Sequence, residues 1–156
     1  MHTPEAVAEA FRTAWNNADA DALTAVFTED ADFVNVIGFW WRGHKQIRHN
    51  HAIGFRDMFP DTTMVFEKTR VRMLADSRVA VVHARWIMTG QRVPDSTPGS
   101  PPAGPRRGVF IFVCAQQEDG RWLAVSGHNT DIINGVQTHL VTESNNIQAV
   151  HYRPIS

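Results

Sequence analysis

The first sixty residues carry apolar positions at steps of three and four, the spacing of one face of a helix. Thr3 followed by Pro4 predicts a helix start, because threonine caps a helix and proline fits its first turn. Asp19 is predicted to cap a second, short helix. A third helix is predicted over residues 44–59, since Pro60 cannot continue it.

The period then changes to the two-residue alternation of strands. The stretch "DFVNV" alternates in this way from Asp32, and four longer segments follow at residues 63–75, 78–90, 107–117 and 121–133. Helices first and hairpin-joined strands afterwards predict an α+β fold. We expect one domain over residues 1–156, with a cone-shaped curved antiparallel sheet and three N-terminal helices against one face.

Two segments fall outside this pattern. Residues 91–107 are rich in proline and glycine, which predicts a flexible hairpin loop. That loop is either a tolerated surface insertion or a flap over a pocket mouth. Residues 135–156 are predicted to be a C-terminal extension with a short strand at "VQTHLV", lying on the surface or reaching a second subunit.

Three histidines lie close together at the third helix. His51 falls on its apolar face with Ile47 and Phe55. His49 lies roughly 200° around the helix axis from His51 and is predicted to face solvent. His44 begins the helix and is also assigned to the surface. Only His51 is therefore a candidate for a buried site, although a structural role for it stays open.

Two consecutive tryptophans, Trp40 and Trp41, precede this helix. Consecutive side chains of an extended segment point to opposite sides. We assign Trp41 to the interior. Trp40 then faces outward, toward solvent or a partner subunit.

Composition excludes several classes of protein. The chain has 156 residues, a net charge of −1 and no basic stripe, so nucleic-acid binding is not expected. No apolar run approaches about 18 residues, so no membrane span is expected. The N-terminus does not resemble a signal peptide and Cys114 is the only cysteine, which together favour a cytoplasmic protein. We expect no metal and no cofactor, because neither metal-ligand spacing nor a nucleotide fingerprint is present.

The order of elements resembles the nuclear transport factor-like, or ketosteroid isomerase-like, superfamily. The stretch "AWNNADADALTAVFTEDADF" is similar to its helix–helix–strand opening. The stretches "DADFVNVIGFWWRG", "VAVVHARW" and "GHNTDI" resemble its SnoaL-like branch, closest to the group labelled SgcJ/EcaC. The resemblance implies a cystatin-like α+β roll whose cone encloses a pocket.

The resemblance does not extend to the catalytic groups of the steroid isomerases. Asn35 aligns with their general base, and an amide cannot accept a proton at neutral pH. Phe11 aligns with their oxyanion-hole tyrosine, and Phe112 lies near their second donor. Classical steroid isomerisation is therefore not expected.

Alternation along the long strands predicts which side chains face the cone. The interior set is Val82, Ala84, Trp86 and Met88 on the second, Phe110, Phe112 and Cys114 on the third, and Val125, Gly127, Asn129 and Asp131 on the fourth. Trp122 and His128 are then predicted to face outward. An error of one residue in the phase of a strand would exchange its two faces.

The predicted site is an apolar, aromatic cavity with a few polar groups. Its ligand-binding residues are predicted to be Phe11, Trp15, Asn35, Trp41, Trp86, Phe110, Phe112 and Asn129. His51 would carry the proton, oriented by Asp131, in a metal-free isomerase, cyclase, dehydratase or hydrolase. The expected partner is a small hydrophobic molecule.

Two alternatives stay open. In the first, the protein is a non-catalytic binder or a dimeric assembly module. In the second, its aromatic side chains fill the cone and leave no room for a ligand. Under every alternative we expect a homodimer that packs outer sheet faces together.

Overall fold

The computed structural model describes residues 1–74, 77–94 and 99–151. Helix α1 spans Pro4–Asn16, and the Thr3 hydroxyl accepts a hydrogen bond from the Ala6 amide, as expected for an N-cap. Helix α2 spans Ala20–Thr24 and is capped by Asp19 in the same way. Helix α3 spans Gly43–Asp57. The three predicted helices are confirmed.

Six strands form one curved sheet. The strands are β1 (Phe27–Val34), β2 (Trp40–Arg42), β3 (Thr63–Met73), β4 (Val79–Thr89), β5 (Arg106–Gln116) and β6 (Trp122–Asp131). Their order across the sheet is β2-β1-β6-β5-β4-β3. All neighbours are antiparallel except β1 and β6, which are parallel. The predicted α+β roll is confirmed. The parallel pair of β1 and β6 departs from the expected antiparallel sheet. A hairpin would have required these two strands to be antiparallel, but they are far apart in the chain and no hairpin joins them.

The interior faces of β4 and β5 agree with the predicted alternation. Trp86 and Met88 on β4, and Phe110 and Phe112 on β5, are buried. Helix α1 covers this face, and Phe11 packs against Phe110 and Phe112 with ring centroids 4.9 Å and 5.2 Å away. The core therefore lies between α1 and the concave side of the sheet.

The phase predicted for β6 is correct for only half of the strand. Gly127 and Asn129 are buried and His128 is exposed, as predicted. Trp122 was predicted to face outward but is only 5% exposed. The cause is a β-bulge: Val113 pairs with Ser126, whereas Cys114 pairs with Ala124. The extra residue, Val125, reverses the alternation before it, so Trp122 and Ala124 face the core and Val125 does not continue the interior set.

The two segments outside the main pattern are described in part. Strand β4 ends at Thr89 and β5 begins at Arg106, and the predicted flexible loop between them includes residues 95–98, which lie outside the described residues. Strands β7 (Thr138–Val141) and β8 (Ile147–Val150) pair as a separate hairpin within the predicted C-terminal extension, of which residues 152–156 also lie outside the described part. None of the helices in the described ranges combines the length and the apolar composition that a membrane span requires.

Candidate functional site

A cavity of about 240 Å³ opens between α3 and the concave side of the sheet. Helix α3 forms one wall, and strands β4, β5 and β6 form the opposite one. Its lining is mostly aromatic and aliphatic. The lining residues are Trp15, Phe33, Asn35, Val36, Ile37, Trp41, Asn50, His51, Gly54, Phe55, Phe59, Met64, Trp86, Met88, Arg106, Phe110 and Asn129. Such a cavity, with a few polar groups, suits a small apolar ligand.

His51 projects from the buried face of α3 into this lining and is 6% exposed. Its ring meets the rings of Phe33 and Trp41 edge-on, with centroids 5.1 Å and 5.2 Å away. Its Nδ1 lies 2.8 Å from the carbonyl oxygen of Ile47, one turn earlier in the helix. A carbonyl only accepts hydrogen bonds, so Nδ1 carries the proton. The Nε2 atom on the far side of the ring then bears a lone pair and has no hydrogen-bond partner among the described residues.

Burial keeps this imidazole neutral. Removal from water lowers the pKa of His51 from 6.5 to about 4, and the hydrogen bond to Ile47 opposes this shift only in part. At neutral pH the ring is therefore uncharged and its Nε2 can accept a proton or a hydrogen bond. His49 is exposed on the opposite side of the helix. Nε2 of His44 lies 3.0 Å from the carbonyl oxygen of Phe27 and donates to it, because a carbonyl oxygen only accepts hydrogen bonds. It ties α3 to β1 and does not line the cavity.

Two asparagines present amide N–H groups to the cavity. The Oδ1 atom of Asn35 accepts from the backbone amides of Ile37 and Phe39, at 3.1 Å and 2.9 Å. The Oδ1 atom of Asn129 accepts from Nε1 of Trp86 at 3.1 Å. Both amide oxygens are thus occupied, and the two NH₂ groups have no acceptor among the described residues. They are available as donors to a ligand oxygen.

Asp131 does not hold His51, contrary to our expectation. Its two carboxylate oxygens each accept a hydrogen bond at 2.9 Å from Arg106, through Nε and Nη2. The Nδ1 atom of His51 is already bonded to Ile47, and Asp131 does not line the cavity. The helix backbone, rather than a carboxylate, orients the imidazole.

The predicted ligand-binding residues divide into two groups. Those that line the cavity are Trp15, Asn35, Trp41, Trp86, Phe110 and Asn129. Phe11 and Phe112 do not line it, because they are fully buried in the core behind it. They support the wall and do not form its surface.

Sequence reasoning missed several lining residues. Two of them are Phe33 and Phe55. Phe33 alternates with Val34 on β1 and Phe55 lies on the apolar face of α3, so the periodicity of the sequence was sufficient to predict that both face the interior. Arg106 gave no such signal, because it stands at the end of the proline-rich loop where strand register was not defined. Its place in the lining follows only from the fold.

Other reactive groups are scarce around the cavity. The single thiol, on Cys114, is buried, and burial raises its pKa to about 12, so it stays protonated at neutral pH. In the part of the chain that the structure describes, no three His, Cys, Asp or Glu side chains cluster closely enough to hold a metal ion. His51 is therefore the one described lining residue with a basic lone pair on a ring nitrogen.

Comparisons with solved structures agree with this fold. A protein with a cystatin-like fold from Caulobacter vibrioides is 25% identical, with a TM-score of 0.72 over 83% of this chain and 87% of that chain. A candidate scytalone dehydratase from Novosphingobium aromaticivorans is 15% identical, with a TM-score of 0.68 over 96% and 86%. A ketosteroid isomerase-like protein from Erwinia carotovora atroseptica is 20% identical, with a TM-score of 0.64 over 83% and 93%. The last two, at such low identity, show the fold alone.

The family is shown by a direct match in sequence. No protein of curated function matches the chain. The family model for the SnoaL-like domain matches residues 8–125, which include most of α1, all of α2 and α3, β1 to β5 and the start of β6. This range contains most of the cavity lining, His51 included. The chain therefore belongs to the SnoaL-like domain family.

Proposed function

We propose that the protein binds a small, largely apolar molecule in the cavity and transfers a proton on it without a metal, as an isomerase, cyclase, dehydratase or hydrolase. One observation carries the proposal: His51 is a neutral imidazole with Nδ1–H bonded to Ile47 and an unpaired Nε2. A base held in one tautomer inside an apolar cavity suits general base catalysis. The fold is shared with a ketosteroid isomerase-like protein and a candidate scytalone dehydratase, and the chemistry those two names imply is of the class proposed here.

The proposed step is proton abstraction from a carbon next to a carbonyl group. Nε2 of His51 takes the proton, and the electron pair of the C–H bond moves toward the carbonyl, leaving negative charge on its oxygen. The free N–H group of Asn129 is available to donate to that oxygen. In a substrate with a C=C bond next to the deprotonated carbon, the imidazolium returns the proton to the far carbon of that bond, the C=C bond shifts into conjugation with the re-formed carbonyl, and His51 is neutral again.

Hydrogen exchange tests this step without knowledge of the natural substrate. The protein is mixed with 2-tetralone, a two-ring ketone with acidic C–H groups, in heavy water. Deuterium uptake beside the carbonyl is followed by NMR. Wild type is expected to accelerate uptake, and His51→Gln to lower the enzymatic rate about 10²-fold or more, the usual scale for a general base.

The control is His49→Gln, which changes an exposed histidine two residues away. It is expected to exchange at the wild-type rate. Because burial lowers the pKa of His51 to about 4, the wild-type rate should be constant above about pH 5.5 and fall only in more acidic solution. Equal losses in both variants would contradict the assignment of His51.

A second candidate function is a non-catalytic binder or dimeric assembly module. Exposed apolar side chains on the convex side of the sheet favour it, since Trp40 is 61% and Val65 50% exposed. Binding of 2-tetralone without any acceleration of exchange would support this second function over the first.

Finer features belong to the same proposal. The aromatic walls support a flat or polyketide-like ligand, and with it membership of the SgcJ/EcaC group and a role in natural-product biosynthesis. A cytoplasmic location is part of this proposal as well. Isolation of a bound metabolite from the expressed protein would test the ligand class.

A further inference from the structure

Arg106 places a cationic side chain in an otherwise mostly apolar cavity. It lies four residues before Phe110 on β5, so the alternation of the strand turns both side chains to the concave side. Its side chain is 25% exposed, and it belongs to the cavity lining. A guanidinium at this depth needs partners for its donors.

The guanidinium is only partly used by the protein. Nε and Nη2 donate to the two oxygens of Asp131, each at 2.9 Å. Nη1, with two further N–H groups, has no partner among the described residues. Asp131 fixes the plane of the guanidinium and balances its charge, which leaves Nη1 as a positioned donor in a pair of zero net charge.

A second donor lies on the neighbouring strand. Asn129 of β6 pairs with Phe110 in the sheet register, and Asp131 pairs with Gly108. Trp86 holds the oxygen of Asn129, so its NH₂ group is the free half of the amide. Arg106 and Asn129 therefore both line the cavity and offer it donors from adjacent strands. An oxygen with two lone pairs can accept from both.

We infer that Arg106 is a specificity-determining residue that selects apolar ligands carrying a carbonyl oxygen, bound between Nη1 of Arg106 and the amide of Asn129. This inference rests on the proposed function. A carbonyl fits better than a carboxylate. Arg106 is already neutralised by Asp131 and His51 is uncharged, so a buried carboxylate would bring an uncompensated charge into the cavity. Charge that develops on the carbonyl oxygen during proton removal would be stabilised by the same donors.

Three probes of the same ring size separate these possibilities: tetralin has no oxygen, 2-tetralone has a carbonyl, and 1,2,3,4-tetrahydro-2-naphthoate has a carboxylate. Dissociation constants are measured by calorimetry at neutral pH. Wild type is expected to bind the ketone at least 10-fold more tightly than tetralin, as for one hydrogen bond to a charged donor. It should also bind the ketone more tightly than the carboxylate.

The variant Arg106→Met should lose this preference and bind tetralin as wild type does. Since it leaves Asp131 without a partner, the double variant Arg106→Met, Asp131→Asn is measured beside it, and circular dichroism checks that both fold. Arg107→Met is the matched control, because Arg107 is the next residue of β5 and does not line the cavity. It should keep the wild-type preference.

The outcomes distinguish this inference from the proposed function. Equal affinity of wild type for tetralin and 2-tetralone, or an unchanged preference in the folded Arg106 variants, would overturn the role of Arg106 and leave ligand binding standing. Tightest binding of the carboxylate would overturn the choice of a carbonyl. Failure of wild type to bind any of the three would overturn the proposed function and this inference with it.

Discussion

The buried side chain of His51 combines a fixed tautomer with a pKa below its usual value. The carbonyl of Ile47 holds the proton on Nδ1, and the surrounding rings exclude the water that would stabilise an imidazolium. Protonation of this ring therefore destabilises the folded state. This effect makes the stability of the whole protein depend on pH.

We predict that His51 makes the protein more stable as pH rises from about 4 to 6.5. The folded pKa of about 4 lies below the unfolded value of 6.5, so in this range the unfolded chain binds the extra proton. The contribution is fully present above pH 6.5 and is lost as the solution is acidified. Between pH 7.5 and 4.5 it amounts to roughly 2 to 3 kcal/mol.

Urea unfolding at several pH values measures this contribution as the difference between wild type and His51→Gln. The difference should shrink or change sign as pH falls, since glutamine carries no titrating group. His49→Gln, altered at an exposed position, should follow the wild-type curve. Parallel curves for wild type and His51→Gln would show that the ring is not protonated on unfolding.

Single residues were predictable where one periodic pattern was sufficient. The helical repeat separated His51 from His49, and strand alternation placed Trp86 and Asn129 on the concave side. The partner of Asp131 was not predictable in the same way. It depended on Arg106, whose distance from Asp131 is set by pairing across β5 and β6 and not by any local pattern.

Strand β6 shows the limit of local patterns at the scale of an element. The sequence "RWLAVSGHNTD" gives no separate signal for a bulge at Val125, yet that one residue moves Trp122 from the outer face into the core. The half of β6 beyond the bulge, which carries Asn129, kept the predicted phase. The site could thus be partly predicted while the start of the same strand could not.

Strand β5 has a close approach that we expect to be intolerant of any side chain. A Cβ atom on Gly108 would lie 2.3 Å from a ring carbon of Trp86 and 2.4 Å from the backbone oxygen of Thr130. The indole and the neighbouring strand cannot both retreat, because Trp86 is held by Asn129. Gly108→Ala is predicted to lower the free energy of unfolding by about 1 to 3 kcal/mol, as overpacking does.

Urea unfolding is again the measurement, and the chain offers a matched control. Gly104 lies before β5, where a Cβ would meet nothing within 4 Å. Gly104→Ala should leave the free energy of unfolding within about 0.5 kcal/mol of wild type, as surface substitutions do. A Gly108→Ala protein as stable as wild type would mean that Trp86 does not rest on the β5 backbone.

At the scale of the molecule, no helix of the described residues packs on the convex side of the sheet. Helices α1 and α3 pack on the concave side and α2 packs against these two helices, while Val109, Ile111 and Val113 of β5 are only half-buried on the other side. The assignment of Trp122 to this surface was wrong, which removes one large side chain from the apolar patch. Trp40 on β2 and Val65 on β3, the two edge strands of the sheet, are exposed and apolar.

We predict that a second copy of the chain covers this convex side. Sheets of this kind with one exposed apolar face are stabilised when two such faces pack together. Light scattering at micromolar concentration should report twice the 17.5 kDa mass of one chain. Ile111 lies between His83 and His128 in the sheet register, near the middle of the face. Ile111→Arg should therefore bury an unpaired charge at the contact and produce monomers.

The matched control is Thr13→Arg, which adds the same side chain to the exposed surface of α1. It should stay dimeric, because α1 lies on the opposite side of the sheet from Ile111. Binding of 2-tetralone should survive in monomeric Ile111→Arg, since the described cavity is lined from one chain and Ile111 is not in it. A wild-type mass near that of one chain would contradict the dimer. An Ile111→Arg protein that stays dimeric would instead place the contact on another surface.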